Sequence, residues 1–334
     1  MSISPGALRF NTDSQKLELY DGNQWTEIVA SSPDSQTGGA RGVFGGGYAL
    51  VPTTTNYNTI DYINISSTGS AISFGFLSES IRNSIGACAS STRGLWGGGN
   101  NEPSTNSSLI EFVTISSTGD AVSFGNLTVA RRSCTAVSNT TRGIWAGGRT
   151  PTQQNVIDYI TIASTGNAQD FGDISRSSVI SMSPAQSSTR GIWAGGYTPA
   201  ISAIDFVTIS TLGNTASFGN LTVAKSNGTG CSNAIRGIFG GGSTPTALNT
   251  IEFITISTLG NASDFGDLSA GKVSLSACSS STRGVFGGGY ESPSQTNAIE
   301  YVTISSIGNA IDFGDLTVAR LMRSASFSNG HGGL

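Results

Sequence analysis

Apolar and polar positions alternate along most of the chain in short bursts, at a period of two rather than at helical spacing. NTIDYINIS from Asn58, SLIEFVTIS from Ser108, NVIDYITIA from Asn155 and NAIEYVTIS from Asn297 are the clearest copies, and this period predicts a strand with a core-facing side. Each burst follows an Arg-Gly motif with an apolar pair and small residues, such as RGLWGGG at Arg93 or RGIWAGG at Arg142. After each burst comes a Gly-containing turn like STGNA, then a short strand ending in Phe-Gly, at Phe74, Phe124, Phe171, Phe218, Phe265 and Phe313. A stretch of small residues, SIGACASST or SLSACSSST, leads back to the next Arg-Gly. The pattern predicts four antiparallel strands per unit and an all-β fold.

The Arg-Gly motif recurs at Arg41, Arg93, Arg142, Arg190, Arg236 and Arg283, at intervals of 46–52 residues. Repeats of this length that cannot bury their apolar faces alone must stack on one another. Four-stranded sheets arranged radially meet that need and leave only short edges, so a six-bladed β-propeller is expected. Within each blade the small-residue stretch is innermost, followed outward by the Arg-Gly strand, the alternating strand and the Phe-Gly strand. The first unit lacks its own small-residue strand, whereas the last continues past Phe313-Gly314 into TVARLMRSASFSNGHGGL. Residues near 320 to 329 are therefore expected to supply the missing inner strand and close the ring. The glycine runs are expected where backbones crowd near the axis.

These blocks resemble the kelch repeat, in which a strand ends in a glycine doublet or triplet and an aromatic-containing strand follows. The resemblance covers residues 41 to about 330. It departs from kelch at the fourth strand, where Phe-Gly stands in place of the usual Trp. It implies a propeller, and the copper-radical oxidases that share such propellers need histidine ligands that a chain with one histidine cannot supply.

Charge narrows the function classes. Only 11% of residues are charged and the net charge is −4, with bases scattered singly, so no nucleic-acid footprint is expected. No apolar run has the length of a membrane span, and the start of the chain lacks the regions of a secretory signal; a soluble protein without membrane insertion is expected. Twelve bases fall on repeat positions, six in Arg-Gly and the others at Arg82, Arg131, Arg176, Lys225, Lys272 and Arg320. One acid per unit sits in the alternating strand: Asp61, Glu111, Asp158, Asp205, Glu252 and Glu300. Sixfold recurrence predicts that these pair within or between blades. The Asp-Phe-Gly-Asp pairs, such as Asp170 with Asp173, leave calcium as a weaker alternative.

Cys88, Cys134, Cys231 and Cys278 lack metal-site spacing, and three of them sit five residues before Arg-Gly, so buried packing is expected. His331, near the end of the chain, is expected in a disordered tail. With no catalytic set, no metal and no cofactor indicated, the chain is expected not to be an enzyme.

The connections between the second and third strands vary: YALVPTTTNYN, NNEPSTNSS, RTPTQQN, YTPAIS, STPTALN and YESPSQTN. In a propeller they share a face with the connections that lead into the innermost strands, and variable loops on a rigid scaffold are where recognition resides. Tyr48, Tyr57, Asn100, Asn101, Arg149, Tyr197, Tyr290 and Glu291 are the candidate binding residues, suited to a glycan or protein surface. Absence of any constraint on these loops is the competing explanation.

Residues 1–32 stand outside the repeat as a small β module, and 33–40 read as a linker before the propeller at 41–334. GALRFNTDSQKLELYDGNQWTEI predicts two or three short strands with turns at Asp13-Ser14 and Asp21-Gly22. Its Leu-Arg-Phe-Asn-Thr, Leu-Glu-x-Tyr and Asp-Gly-x-x-Trp spacing resembles a module near the N-termini of bacteriophage tail-fibre and other virion proteins, notably of cyanophages. That resemblance implies attachment to other virion proteins or self-association into a homo-oligomer through Arg9, Phe10, Asn11, Glu18, Tyr20 and Trp25. The expectation is a non-enzymatic virion structural protein, assembled in the host cytoplasm, whose propeller contacts the host surface. A kelch-type protein-interaction propeller and a carbohydrate-active enzyme are the alternatives.

Overall fold

The computed structural model describes residues 4–11, 16–27, 40–79, 85–101, 105–176 and 179–334. Two compact units divide the chain, Met1–Gly38 and Gly39–Leu334. The Asp13-Ser14 turn, most of the expected linker and Arg82 lie outside the described residues.

The N-terminal unit is one antiparallel sheet of Leu8–Asn11, Lys16–Tyr20 and Trp25–Glu27. Arg9 lies opposite Glu18 in register and forms an ion pair with it at 2.7 Å. The Arg9 guanidinium also lies 4.2 Å from the Trp25 ring centroid. The expected turn forms at Asp21, whose Oδ1 accepts the backbone N–H of Asn23 and Gln24 at 2.7 and 2.8 Å. Those bonds hold its carboxyl below the ordinary range. Leu8 and Phe10 project from the other side of the sheet and are exposed.

The larger unit is all-β and propeller-like. Six four-stranded antiparallel sheets are present among the described residues, with no helix. In the third repeat the order is Thr135–Ser138, Arg142–Ala146, Val156–Thr161 and Gln169–Asp173, the order expected from the sequence. The sheet of the first repeat takes Ser326–Ser328 as the strand beside Arg41–Gly45, followed by Thr59–Asn64 and Ile72–Phe76. The polypeptide's end thus pairs with its first repeat.

The alternating strands are not half-exposed as their period suggests. Asp61, Glu111, Asp158, Asp205, Glu252 and Glu300 are all buried, as is the apolar residue before each. Both faces are covered by neighbouring sheets, and the register slips beside each acid, as between Ile157 and Asp158. The core accordingly lies between sheets. Leu95, Ile110, Phe124 and Leu127 of the second repeat pack with Ala136, Trp145 and Ile160 of the third.

Close approach is possible because particular positions lack a side chain. A Cβ on Gly45 would lie 2.6 Å from the Trp96 ring of the next repeat, inside any tolerable contact. The Phe-Gly glycines meet the turn glycine of the following repeat, and the turn amide donates to the preceding outer strand: Gly119 N to Phe74 O at 2.9 Å, Gly166 N to Phe124 O at 2.9 Å, and finally Gly69 N to Phe313 O at 2.8 Å. The same link therefore joins the last repeat to the first.

Removing residues 320–334 deletes the strand paired with Arg41–Gly45 and strips Arg320 from buried Asp61, 3.0 Å away. The expected result is loss of the cooperative thermal transition, followed by circular dichroism. An unchanged transition would contradict the role given to this strand.

Candidate functional site

The recurring charges are consumed inside the fold. Each Arg-Gly arginine reaches the next repeat: Arg142 Nη1 donates to Ile209 O at 2.9 Å, Arg93 to Ile162 O at 2.9 Å, and Arg283 to Ile65 O at 3.0 Å. Its guanidinium stacks over the aromatic ring of its own alternating strand, Arg142 on Tyr159 at 5.0 Å and Arg283 on Tyr301 at 4.5 Å. These six bases therefore bind carbonyls and rings rather than the acids that the sequence suggested for them.

The five described members of the second set of bases take acids, each across a sheet boundary. Arg131 lies 2.7 Å from Asp158, Lys225 2.6 Å from Glu252, and Lys272 2.8 Å from Glu300; Arg176 also pairs with Asp205. Arg131 further donates to Gly147 O at 2.8 Å and Trp145 O at 3.3 Å, so its burial leaves little of its donor fork unused. Burial pushes the Lys225 ammonium down, and Glu252 opposes the shift. Each pair joins neighbouring sheets, which excludes its members from reaching a substrate.

The cysteines are buried and unbridged, as expected. Burial raises their thiols, Cys231 to about 12, far from a reactive thiolate. Among the described residues no group of three or more His, Cys, Asp and Glu side chains is placed to hold a metal.

The variable connections do share an end with those leading into the inner strands. Backbone bridges tie them together: Tyr48 to Leu321, Arg149 to Arg132, Tyr197 to Ile180, Ser243 to Ser226 and Tyr290 to Val273. Four of the loops carry short hairpins, such as Arg149–Thr150 with Thr152–Gln153, so they are constrained near their roots. Tyr197 is exposed, whereas Asn100 is buried. Tyr57 is half-buried. The Tyr290 hydroxyl donates to Pro293 O at 3.1 Å, and Glu291 lies 3.9 Å from Lys272. Tyr48 sits beneath Arg323, 5.9 Å from its ring centroid. Arg149 and Tyr197 are brought into one depression; Tyr57, Tyr290 and Glu291 are not among its lining. The side chains of Asn11 and Asn101 lie outside the described residues.

At this end the chain enters the five inner strands whose approach is described through a left-handed residue: Ser133, Ser181, Asn227, Ser274 and Arg323 have φ of 57°, 53°, 55°, 57° and 48°. Such backbone costs energy for a side-chain-bearing residue and persists only where its surroundings over-determine it. Here they do, because Asn227 N donates to Ser181 O, Ser274 N to Asn227 O and Arg323 N to Ser274 O, at 3.3, 2.8 and 3.1 Å. The spacing of Arg132 and Arg323 carried no motif, and neither was singled out as a binding residue; both line the same depression as Arg149.

The opposite end is covered, and here the tail departs from expectation. His331 is buried, not disordered. Its Nε2 donates to Ala89 O at 2.8 Å, and its Nδ1 accepts from Gln186 Nε2 at 2.8 Å and Gly333 N at 3.1 Å. Gln186 can present its amide nitrogen because Ser138 N occupies its Oε1 at 3.0 Å, so the tautomer is fixed by the network. Burial pushes His331 down to about 4, and proton uptake at Nδ1 would remove the acceptor for two donors. The inner strands enclose about 30 Å³ of remaining space beside it, room for little more than water.

No protein-family model and no curated protein matches the chain.

Two predictions follow from this chemistry. Arg131→Met leaves buried Asp158 without its counter-ion, with only Thr128 still donating to it, and is expected to cost about 3–5 kcal/mol in denaturant unfolding, while adding Asp158→Leu restores most of it. His331 binds its proton less readily folded than unfolded. Its contribution is present above pH 6.5, its ordinary value, and is lost as pH falls toward about 4. The loss is on the order of 3 kcal/mol. His331→Gln is expected to flatten that part of the melting-temperature profile relative to the natural chain, and a parallel profile would refute the assignment.

Proposed function

We propose that the six sheets are the blades of a closed propeller and that the protein is a non-enzymatic virion structural protein, of the tail-fibre or adhesin kind. The propeller contacts the host surface or neighbouring virion proteins through its loop-bearing end. One observation carries the recognition role: the repeated charges paired above are spent between sheets, while sequence variation and exposed polar side chains gather in connections anchored at one end. Such a scaffold recognises; among the described residues the recurring acids face bases across the sheet boundaries rather than a common cleft.

Closure is supported by the circuit of inner-strand packing. Gly86–Ala89 touches Thr135–Ser138, which touches Ser183–Gln186, and so on through Thr229–Ser232, Ser276–Ser279 and Ser326–Ser328 back to Gly86–Ala89. The virion assignment is supported by the N-terminal spacing, whose Arg9, Glu18 and Trp25 make one cross-strand cluster, with Leu8 and Phe10 exposed for contact with another protein.

Mass spectrometry of density-purified phage particles from cells that express this chain is expected to recover its peptides at stoichiometric level. Recovery only from the soluble host fraction would sink the virion reading. The loop is shorter than its sequence suggests, because Ile201 and Ser202 already belong to the strand Ile201–Thr208. Exchanging Tyr197–Ala200 for Gly-Ser is therefore expected to preserve the melting temperature and weaken binding of the purified protein to host envelopes.

A further inference from the structure

The chain has 17 Lys and Arg residues, and 12 of them occupy the two repeat positions described above. Arg9 and Lys16 belong to the N-terminal unit. The three that remain are Arg132, Arg149 and Arg323. All three line one depression of about 410 Å³ at the loop-bearing end, and among the described residues its lining contains no carboxylate. Bases placed by the repeat serve the sheet boundaries; the three that escape the repeat converge.

Their positions are built rather than incidental. Arg132 and Arg149 exchange backbone hydrogen bonds of 3.3 and 2.9 Å. Arg323 occupies the left-handed position that carries Ser or Asn in the third to sixth repeats, and its Nε donates to Ser274 Oγ at 3.2 Å. Burial first, then the fields of Arg149 and Arg323, push the Arg132 guanidinium below its ordinary range. Like charges are thus held together in one depression, and an anion bound between Arg132 and Arg149 lowers their mutual repulsion.

We infer that this depression binds an acidic saccharide. The guanidiniums offer forked donors to a carboxylate or sulfate. Ser181 and Asn227 line the walls with uncharged polar groups that suit sugar hydroxyls, and the exposed Tyr197 ring provides a stacking face at the rim. The volume lies in the range of small-ligand sites. No basic track leads away from it for the phosphates of a nucleic acid to follow, since the repeat-register bases in the described sheets are held inside sheet boundaries. The inference rests on the loop-bearing end being the recognition surface.

Titration calorimetry of the full chain with sialyllactose, lactose sulfate and lactose tests it. The two anionic sugars separate a carboxylate source from a sulfate source. At least one is expected to bind about tenfold more tightly than lactose and to weaken with salt, and Arg132→Gln with Arg149→Gln is expected to remove about tenfold of that affinity at unchanged melting temperature. Equal binding of lactose, unaltered binding by the double variant, no binding of either anionic sugar up to about 10 mM, or tighter binding of a pentaglutamate peptide or an oligonucleotide would overturn the assignment. The broader reading fails separately. If the double variant still adheres to host envelopes and the Tyr197–Ala200 exchange does not, the surface stands and this site falls; if neither change affects adhesion, the surface itself is wrong.

Discussion

Contact between neighbouring sheets is the constraint on which the larger unit depends. A four-stranded sheet with apolar residues and an acid on its two faces cannot persist in water alone, and its stability is a property of the boundary. The boundaries share their parts: a turn amide on the preceding outer strand and an arginine reaching a carbonyl at each, an aromatic ring against a bare glycine at four of them, and a buried ion pair at the five whose members are described. The glycines set the distance and the ion pairs set the register. A side chain at Gly45 would strike Trp96, so the spacing is dictated by what is missing.

The ion pairs add specificity more than net energy. Desolvating Arg131 and Asp158 offsets much of their attraction, yet either alone at a boundary is costly. A sheet displaced by one residue would strand its buried acid in apolar surroundings, and that penalty falls on misaligned stacking rather than on the aligned state. The arginines of the Arg-Gly motif act differently. Their planar groups lie over Tyr or Phe and point donors at the next sheet, combining packing with one hydrogen bond apiece.

Much of this organisation was legible in the chain itself. The Arg-Gly spacing, the Phe-Gly endings and the small-residue stretches marked all four strands of each sheet in the right order, because period and turn chemistry are local signals. What local signals cannot carry is burial on both faces. The period of NVIDYITIA taken alone would leave its acid on a wet face; it was the sixfold recurrence that predicted pairing, and the neighbouring sheet supplies the Arg131 that holds Asp158 inside. His331 looked like part of a loose tail because SNGHGGL has no apolar anchor; its partners Ala89 and Gln186 are remote in sequence. Tyr197 and Arg149 were visible as loop residues. The role of Arg132 and Arg323 emerges only once the register positions are subtracted, since a lone base beside a repeated one has no pattern of its own.

The tail around His331 gives the two ends of the inner strands unequal fates. Gly332 N donates to Ser232 O at 2.8 Å while His331 reaches Ala89 and Gln186, so the segment lies across strands of several repeats like a floor under a well. In the closed ring proposed above, a filamentous polymer approaching from the loops would meet this segment, beside which only about 30 Å³ remains. On the reading proposed above, such a polymer is held by its tip or laid crosswise over the rim, and does not thread through the middle.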